Sequence, residues 1–172
     1  MSCSASTLSF AQVPVKSGSD RQTFGDIKEM EELARLVMAS NPRANALRLN
    51  VQKNEPTKTL PNGRKILAKP IQSQALQSGP IFDAVKKMHP WTTKITVNKN
   101  FASTAHRDRK NQGHSAIALF GPFTGGALIV QEPTGRRKIT EKKKWHIFNG
   151  ARDEHWVEPF KGDRWSVIAY RA

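Results

Sequence analysis

The chain has 172 residues, with 28 Lys and Arg against 14 Asp and Glu for a formal charge of +14, and is long enough for one domain with a sizeable core. A single cysteine, Cys3, excludes an internal disulfide and a cysteine-based zinc site, and no apolar run approaches the ~20 residues that cross a bilayer. The charge excess points to an anionic partner, such as nucleic acid, an acidic protein or a phosphorylated substrate; a basic enzyme whose charge serves only solubility fits it equally.

The opening MSCSASTLSFAQVPVKSGSD lacks a basic start and a long apolar stretch, so it is a poor secretory signal. Residues 1–22 are expected to form a flexible tail, with a Ser/Thr-rich organelle-targeting segment as the other reading. An intracellular location, nucleus or cytoplasm, goes with the single cysteine. The first helix is expected in DIKEMEELARLVMASNP, capped by Asp26 with Glu29 completing a capping box. Ile27, Met30, Ala34, Val37 and Met38 share its apolar face, and Asn41-Pro42 ends it.

RANALRLNVQ alternates well enough to be a strand, and the PNG of EPTKTLPNGRKILAKP is a strong turn signal. A short helix is expected in PIFDAVKKM, stopping before Pro90. Arg43, Arg48, Lys53, Lys58, Arg64, Lys65 and Lys69 make this stretch basic: either a solvated surface or a phosphate-tracking face. Residues 23–91 therefore read as a helical, basic support region.

From Thr92 the texture changes to short β-rich runs: TKITVNKN, SAIALFG, GALIVQE, KKWHIFNG, EHWVEPF and RWSVIAYRA. The turns GPFTGG, EPTG and FKGD separate them. This is the rhythm of an antiparallel sandwich or barrel, so residues 92–172 read as a β core that completes a single domain over 23–172. TGRRKITEKKKW, with Arg136, Arg137, Lys138, Lys142, Lys143 and Lys144, reads as an exposed basic hairpin; contact with a phosphate backbone is an even question.

AHRDRKNQGH, residues 105–114, is the segment richest in chemistry. Its His-Arg-Asp is not a kinase catalytic loop. The asparagine such a loop needs arrives too early, at Asn111, and neither an Asp-Phe-Gly nor a glycine-rich phosphate loop is present. On an extended segment His106 and Asp108 face the same way. By itself this pair is a weak metal signal and is more often a polar turn. A two-histidine, one-carboxylate face for Fe(II) needs a second histidine from a distant strand. Of His89, His114, His146 and His155, His155 has the best context, following the IFNG turn; His114 and His146 read as structural or surface residues. Arg164 and Ser166 then share a strand face. Arg can grip a carboxylate with two hydrogen bonds and Ser can add a third.

His106-x-Asp108, His155 and Arg164-x-Ser166, in that order, resemble the Fe(II)/2-oxoglutarate-dependent dioxygenases. Gly125 and Gly126 of GGALIV look like the Gly-Gly strand between that family's ligand segments. The resemblance covers roughly residues 92–172. It implies a mainly β fold with N-terminal helices, a double-stranded β-helix or jelly-roll. It also implies Fe(II) held by His106, Asp108 and His155 as the catalytic centre, 2-oxoglutarate held by Arg164 and Ser166, and O2 as oxidant. Nucleic-acid dealkylases of the AlkB type carry Asn-x-Tyr upstream; here Asn98 matches, implying co-substrate contact, and Asn100 stands where the tyrosine would be. Asn111 and FNG…HWVEPF.GDRWS look like the TET and base-J thymine-hydroxylase branch and its compact relatives.

The implied activity is hydroxylation of a C–H bond, with a methyl-bearing base in DNA or RNA as the favoured substrate. Trp91, Phe101 and Trp156 are candidates to stack on an extruded base. Arg107, Arg109 and Lys110 would form a basic rim around the site. A prolyl-type peptide hydroxylase, or a non-catalytic basic jelly-roll that binds nucleic acid, are the other classes. No membrane association is expected.

Overall fold

All six residues of Ser115–Phe120 are buried, as only a strand covered on both faces can be. This segment, β5, lies inside the largest sheet. The computed structural model describes residues 24–42, 57–59, 61–63, 65–67 and 72–172. The expected tail (1–22), the strand over 43–52 and most of the basic stretch up to Lys69 lie outside these.

Helix α1 runs Phe24–Ala39 and α2 runs Pro80–Met88. The strands are β1 (Thr57–Thr59), β2 (Lys65–Leu67), β3 (Gln72–Leu76), β4 (Lys94–Lys99), β5, β6 (Phe123–Gly125), β7 (Leu128–Glu132), β8 (Gly135–Ile139), β9 (His146–Phe148), β10 (His155–Val157), β11 (Phe160–Gly162) and β12 (Trp165–Tyr170). An antiparallel sheet ordered β3-β4-β12-β5-β9 forms one layer, and β10-β7-β8 forms a second. β11 pairs with β6, and β1 pairs with β2 across the PNG turn. The chain is mainly β, a jelly-roll with helices packed on one side.

Alternation along the central strands sends side chains to two cores. Val97, Ala116, Ala118, Val167 and Ala169 pack with Leu33, Val37 and Val85 of the helices. The alanines let the helices approach the sheet closely. Ile117 and Leu119 instead join Leu128, Val130, Ile139 and Phe148 between the layers. Each fully buried Leu, Val or Ile here stabilises the fold by about 1.5–3 kcal/mol. The helices thus fill one side of the main sheet. The other side faces the second layer and leaves room for a cavity.

α2 begins with Pro80 in its first turn and ends at Met88, before Pro90, as its sequence predicts. α1 departs from expectation in two ways. It begins at Phe24, so Asp26 sits within the first turn instead of capping from outside. Its buried face is Met30, Leu33, Ala34 and Val37, whereas Ile27 and Met38 are exposed; the sheet meets a narrower stripe than the full apolar arc. GPFTGG and FKGD also differ from simple turns, since each contributes three residues to the paired β6 and β11. Among the described residues, no helix is long and apolar enough to cross a membrane.

Candidate metal and co-substrate site

His106 and His155 are brought together by a single antiparallel bridge, with backbone bonds of 3.1 and 3.0 Å in the two directions. Two residues along, the Asp108 amide donates to the Gly150 carbonyl at 2.8 Å, which seats the carboxylate beside the IFNG turn. Gly150 is tightly enclosed: a Cβ there would stand 3.0 Å from Phe148 and 3.3 Å from the His155 ring, so both rings would have to shift slightly to admit one. One ligand atom from each of His106, Asp108 and His155 lies within 4.8 Å of the others.

Both histidines are oriented by backbone carbonyls. Nδ1 of His106 is 2.6 Å from the Thr104 oxygen, and Nδ1 of His155 is 2.9 Å from the Asp153 oxygen. A carbonyl can only accept, so Nδ1 carries the hydrogen in each ring and a neutral ring presents its Nε2 lone pair inward. Asp153 is itself buried and clamped by Arg152 at 2.7 and 2.8 Å. The inward Nε2 atoms lie 3.5 Å (His106) and 3.2 Å (His155) from the Asp108 oxygens. Acceptors facing acceptors at such distances require a proton or a cation between them.

The ionisation of these groups fits that requirement. Burial opposes charge on His155, yet the Asp108 hydrogen bond and carboxylate outweigh it and raise its pKa. Burial likewise opposes ionisation of Asp108, and the His155 bond with the neighbouring imidazoles outweighs it and lowers its pKa. Two neutral imidazoles and one carboxylate are a donor set suited to Fe(II). The carbonyls behind the imidazoles fix their tautomers, as outer partners of metal-bound histidines do.

A cavity of about 220 Å³ joins this cluster to Arg164, Ser166 and Asn98. Arg164 immediately precedes β12, and its side chain is 1% exposed. Its Nε donates to the Gly126 carbonyl at 2.9 Å, while one terminal nitrogen, Nη2, is buried with no partner among the described residues. Phe123 and Phe160 flank the guanidinium with ring centres 5.7 and 6.0 Å away. Burial pushes its pKa down to about 10. A buried cation this poorly matched is costly unless an anion joins it. Beside it, Asn98 donates to the Ser166 hydroxyl at 3.2 Å, leaving the buried Asn98 Oδ1 without a partner among the described residues. A carboxylate would accept from Arg164 and Ser166. A small diacid would thus be held at one end while its other end reached the metal cluster.

Gly126 makes this arrangement possible. It has φ +67°, and a Cβ there would lie 2.9 Å from Arg164 Cδ and 3.0 Å from Nε. The Gly-Gly pair of the sequence is therefore a steric allowance for the buried arginine. Asn100 does not line the cavity. With φ 55°, it accepts from the Arg164 amide at 2.9 Å through its side chain and donates its own amide to the Arg164 carbonyl at 2.7 Å. It holds the arginine's backbone, and its side-chain amide donates to Asp163 at 3.0 Å.

All six expected site residues meet at this cavity, and Phe101 lines it too. Trp91 and Trp156 do not. Trp91 packs against the helix-side core, and Trp156 lies under Arg136, 5.0 Å from its ring centre. Ser73, Thr96, Asn111 and Tyr170 also line the cavity without having been singled out as cavity residues in the sequence. Thr96 and Tyr170 continue the i, i+2 faces of Asn98 and Ser166, so extending those faces would have found them. The basic hairpin proves largely satisfied internally. Arg137 donates to the Ile147 carbonyl, Lys142 to the Gly121 and Phe123 carbonyls, and Lys138, Lys143 and Lys144 pair with Glu158, Glu31 and Glu141.

No protein-family model matches the chain, and no curated protein matches it in sequence. Solved structures do match. A prolyl-4-hydroxylase from Pseudomonas putida is 13% identical, aligns over 84% of this chain and 87% of its own, and has a TM-score of 0.54. NgTET1 in complex with 5mC DNA is 19% identical over 46% of this chain, at a TM-score of 0.41, and the match spans only 34% of that chain. An oxidoreductase of the 2OG-Fe(II) oxygenase family from Burkholderia pseudomallei is 13% identical over 82% of this chain and 89% of its own, at 0.46. The prolyl-4-hydroxylase match shows a shared fold. The resemblance to the Fe(II)/2-oxoglutarate-dependent oxygenase superfamily thus extends from the motifs to the jelly-roll that carries them.

Proposed function

We propose that this chain is an Fe(II)- and 2-oxoglutarate-dependent oxygenase that hydroxylates a C–H bond on a methyl-bearing base of DNA or RNA. The observation that carries the chemistry is the buried, underpartnered Arg164 guanidinium sharing one cavity with a two-histidine, one-carboxylate cluster. His106, Asp108 and His155 would hold the metal; Arg164 and Ser166, with Asn98 behind, would bind the far carboxylate of the diacid. Bound Fe(II), with 2-oxoglutarate and O2, supplies the oxidation: one oxygen atom enters the substrate C–H bond, and the diacid leaves as succinate and CO2. The protein's own contribution is orientation and a largely apolar wall of Ile117, Leu128, Phe148, Val157 and Ile168 that limits water.

The substrate reading rests on where charge lies. Among the described residues, Arg164 is the only permanent cation on the cavity wall, whereas Arg107, Arg109 and Lys110, beside the metal ligands in sequence, are exposed. The volume is below the ~300–1,000 Å³ of pockets that enclose drug-sized ligands, so it suits one small projecting group beside the co-substrate. An uncharged group on an anionic carrier matches both features, and an extruded base is such a group. The fold shared with a prolyl-4-hydroxylase supports a peptidyl side chain as the second reading.

The test is incubation with Fe(II), 2-oxoglutarate and either DNA or RNA oligonucleotides or a proline-containing peptide. Succinate release and mass spectrometry of the digested products are read together. Metal-dependent succinate with a hydroxylated nucleoside is expected. Succinate with only a hydroxylated peptide moves the substrate to the second reading, and no metal-dependent succinate overturns the oxygenase.

A further inference from the structure

Arg137 differs from its neighbours on β8 by facing inward. In the registers of the second layer Arg137 lies opposite Val130, and Val130 lies opposite His155, so the three form one row across β8, β7 and β10. Residues opposite one another in a sheet present their side chains to the same face. Val130 is buried between the layers and His155 lines the cavity, so Arg137 also enters the space between the layers. Alternation sends Arg136 and Lys138 to the outer face. Once inside, Arg137 reaches across the gap. β8 is the outer strand of one sheet and β9 the outer strand of the other. Arg137 Nη1 donates to the Ile147 carbonyl of β9 at 2.6 Å, with the Glu132 carboxylate 3.5 Å away as its counter-charge. The Arg137 side chain is only 26% exposed. A short, charge-assisted bond shielded from water is stronger than an exposed ion pair.

That bond holds the start of the segment that builds the metal cluster. Next to Ile147, Phe148 sets its ring edge-on to His155 with centres 5.3 Å apart. The Asn149 carbonyl accepts from the Asp153 amide at 2.9 Å, and the Asp153 carbonyl in turn orients His155. The Gly150 carbonyl accepts from the Asp108 amide. A Cβ at Gly150 would lie 3.0 Å from Phe148, 3.3 Å from His155 and 3.4 Å from Asp108, so a small shift of this turn presses on two ligands at once. β9 alone is a weak hold for it. The strand pairs with β5 over three residues, and no described strand lies on its other edge. Arg137 is the partner of that open edge.

We propose that Arg137 is a positioning residue for the metal centre. From β8 it fixes β9 and the turn that follows, and through them the spacing of Asp108 and His155. This rests on the metal-dependent oxygenase reading above. Arg137 forms no hydrogen bond or ion pair with a metal ligand and does not line the cavity. Its effect reaches the cluster through Phe148 and Gly150.

The test uses the whole chain and reads metal binding without O2, with Co(II) in place of Fe(II). Calorimetry gives the Co(II) dissociation constant, the absorption bands of bound Co(II) report its ligand geometry, and urea denaturation of the metal-free protein gives stability. Arg137→Met keeps the apolar stem and removes the donor. Its Co(II) constant is expected to weaken roughly tenfold, the low end for groups standing behind metal ligands, and its bands should shift. Arg137→Lys keeps the charge and one donor, and only one N–H is used on Ile147, so its constant should stay within about threefold of the unaltered protein. Val85→Ala is the control: it opens the helix-side core, lowers the urea midpoint and should leave the constant and the bands unchanged. An unchanged constant and spectrum in Arg137→Met overturn the proposal, because the arginine then only ties the two layers. Equal weakening in Val85→Ala also overturns it, since metal affinity then follows global stability. Arg137→Gln carries the same comparison where Arg137→Met does not fold. If the unaltered protein binds no Co(II), the metal cluster itself fails and the positioning role with it. Co(II) binding without any metal-dependent succinate sinks the oxygenase alone, and the positioning role still stands or falls on Arg137→Met.

Discussion

His89 and His155 are both largely buried histidines, and their environments drive them in opposite directions. His89 ends α2, with Trp91 and Trp145 ring centres 5.2 and 4.6 Å away and its Nε2 buried without a partner among the described residues. Burial alone lowers its pKa to about 4. His155 has the same desolvation working against it but faces Asp108 at 3.2 Å, and its pKa is raised. Burial among aromatics makes a neutral packing residue. Burial opposite a carboxylate makes a centre that wants a proton or a metal ion. The main sheet separates the helix-side core, against which Trp91 and Trp145 pack, from the cavity.

The largest effect should come from removing the group that makes the difference. Asp108→Ala takes away a metal ligand, and metal-dependent succinate formation should fall by roughly 10²-fold or more, since even an outer partner of a metal ligand is worth 10–100-fold. In the metal-free protein the same substitution should move the His155 titration downward, toward that of His89, as followed by proton NMR. Unchanged titration would mean that Asp108 is not what distinguishes the two histidines.

Next in size is Arg164→Leu, which leaves the metal cluster intact and removes the charge at the far end of the cavity. The 2-oxoglutarate dissociation constant should weaken by ~10²-fold, while the folded state loses little, because the buried cation is underpartnered without its ligand. Arg164→Lys should not restore binding, because an ammonium cannot reproduce the planar fork. Calorimetry for binding, with urea denaturation for stability, separates the two effects. Equal loss in both would make Arg164 a structural residue.

His89 provides a smaller, pH-restricted contrast. Its folded pKa lies near 4 and its unfolded value near 6.5. Between these the unfolded chain binds the proton and the folded chain does not. The stability contributed at neutral pH is therefore lost as pH falls through this window and is constant again below it. The full span is about 3 kcal/mol as an upper bound, at 1.36 kcal/mol per pKa unit. Metal-free His155 has the opposite sign: with its folded pKa raised, its stabilisation is complete below pH 6.5 and is lost as pH rises through the folded value. His89→Phe should remove the acid-side slope from denaturant midpoints measured between pH 4 and 6.5. A slope that persists would assign it to other groups.

Much of the β core was legible in the sequence because alternation is a local property of the chain. That His106 and Asp108, and Arg164 and Ser166, would face one way was legible for the same reason: they are i, i+2 pairs, and such pairs share a face wherever the strand goes. Partners from elsewhere were not legible. Nothing in TGRRKITEKKKW shows that Lys143 meets Glu31 of α1, or that Lys142 caps the Gly121 and Phe123 carbonyls. Pairing of β6 with β11 uses backbone atoms and leaves no side-chain pattern within GPFTGG and FKGD. Ile27 and Met38 were assigned to the core because periodicity gives a direction on a helix, whereas the width of the buried stripe depends on what packs against it.

The smallest predicted effects come from the surface, where the contrast between satisfied and unsatisfied groups repeats. Lys142 and Lys143 are held by carbonyls and by Glu31, whereas Arg109 and Lys110 are exposed and make no ion pair with any described residue. A cation already engaged releases little counterion when a phosphate approaches, because it first gives up its own partner. A free one contributes fully to the salt dependence of binding. Arg109→Gln and Lys110→Gln should each weaken oligonucleotide binding a few-fold and reduce the slope of log affinity against log salt by about 1. Lys143→Gln should leave the slope nearly unchanged while costing at most ~1 kcal/mol of stability, as exposed pairs do. Fluorescence anisotropy at several salt concentrations measures both. If Lys143→Gln moves the slope and the rim substitutions do not, the anionic strand crosses the hairpin, and the rim beside His106 and Asp108 is only solvated surface.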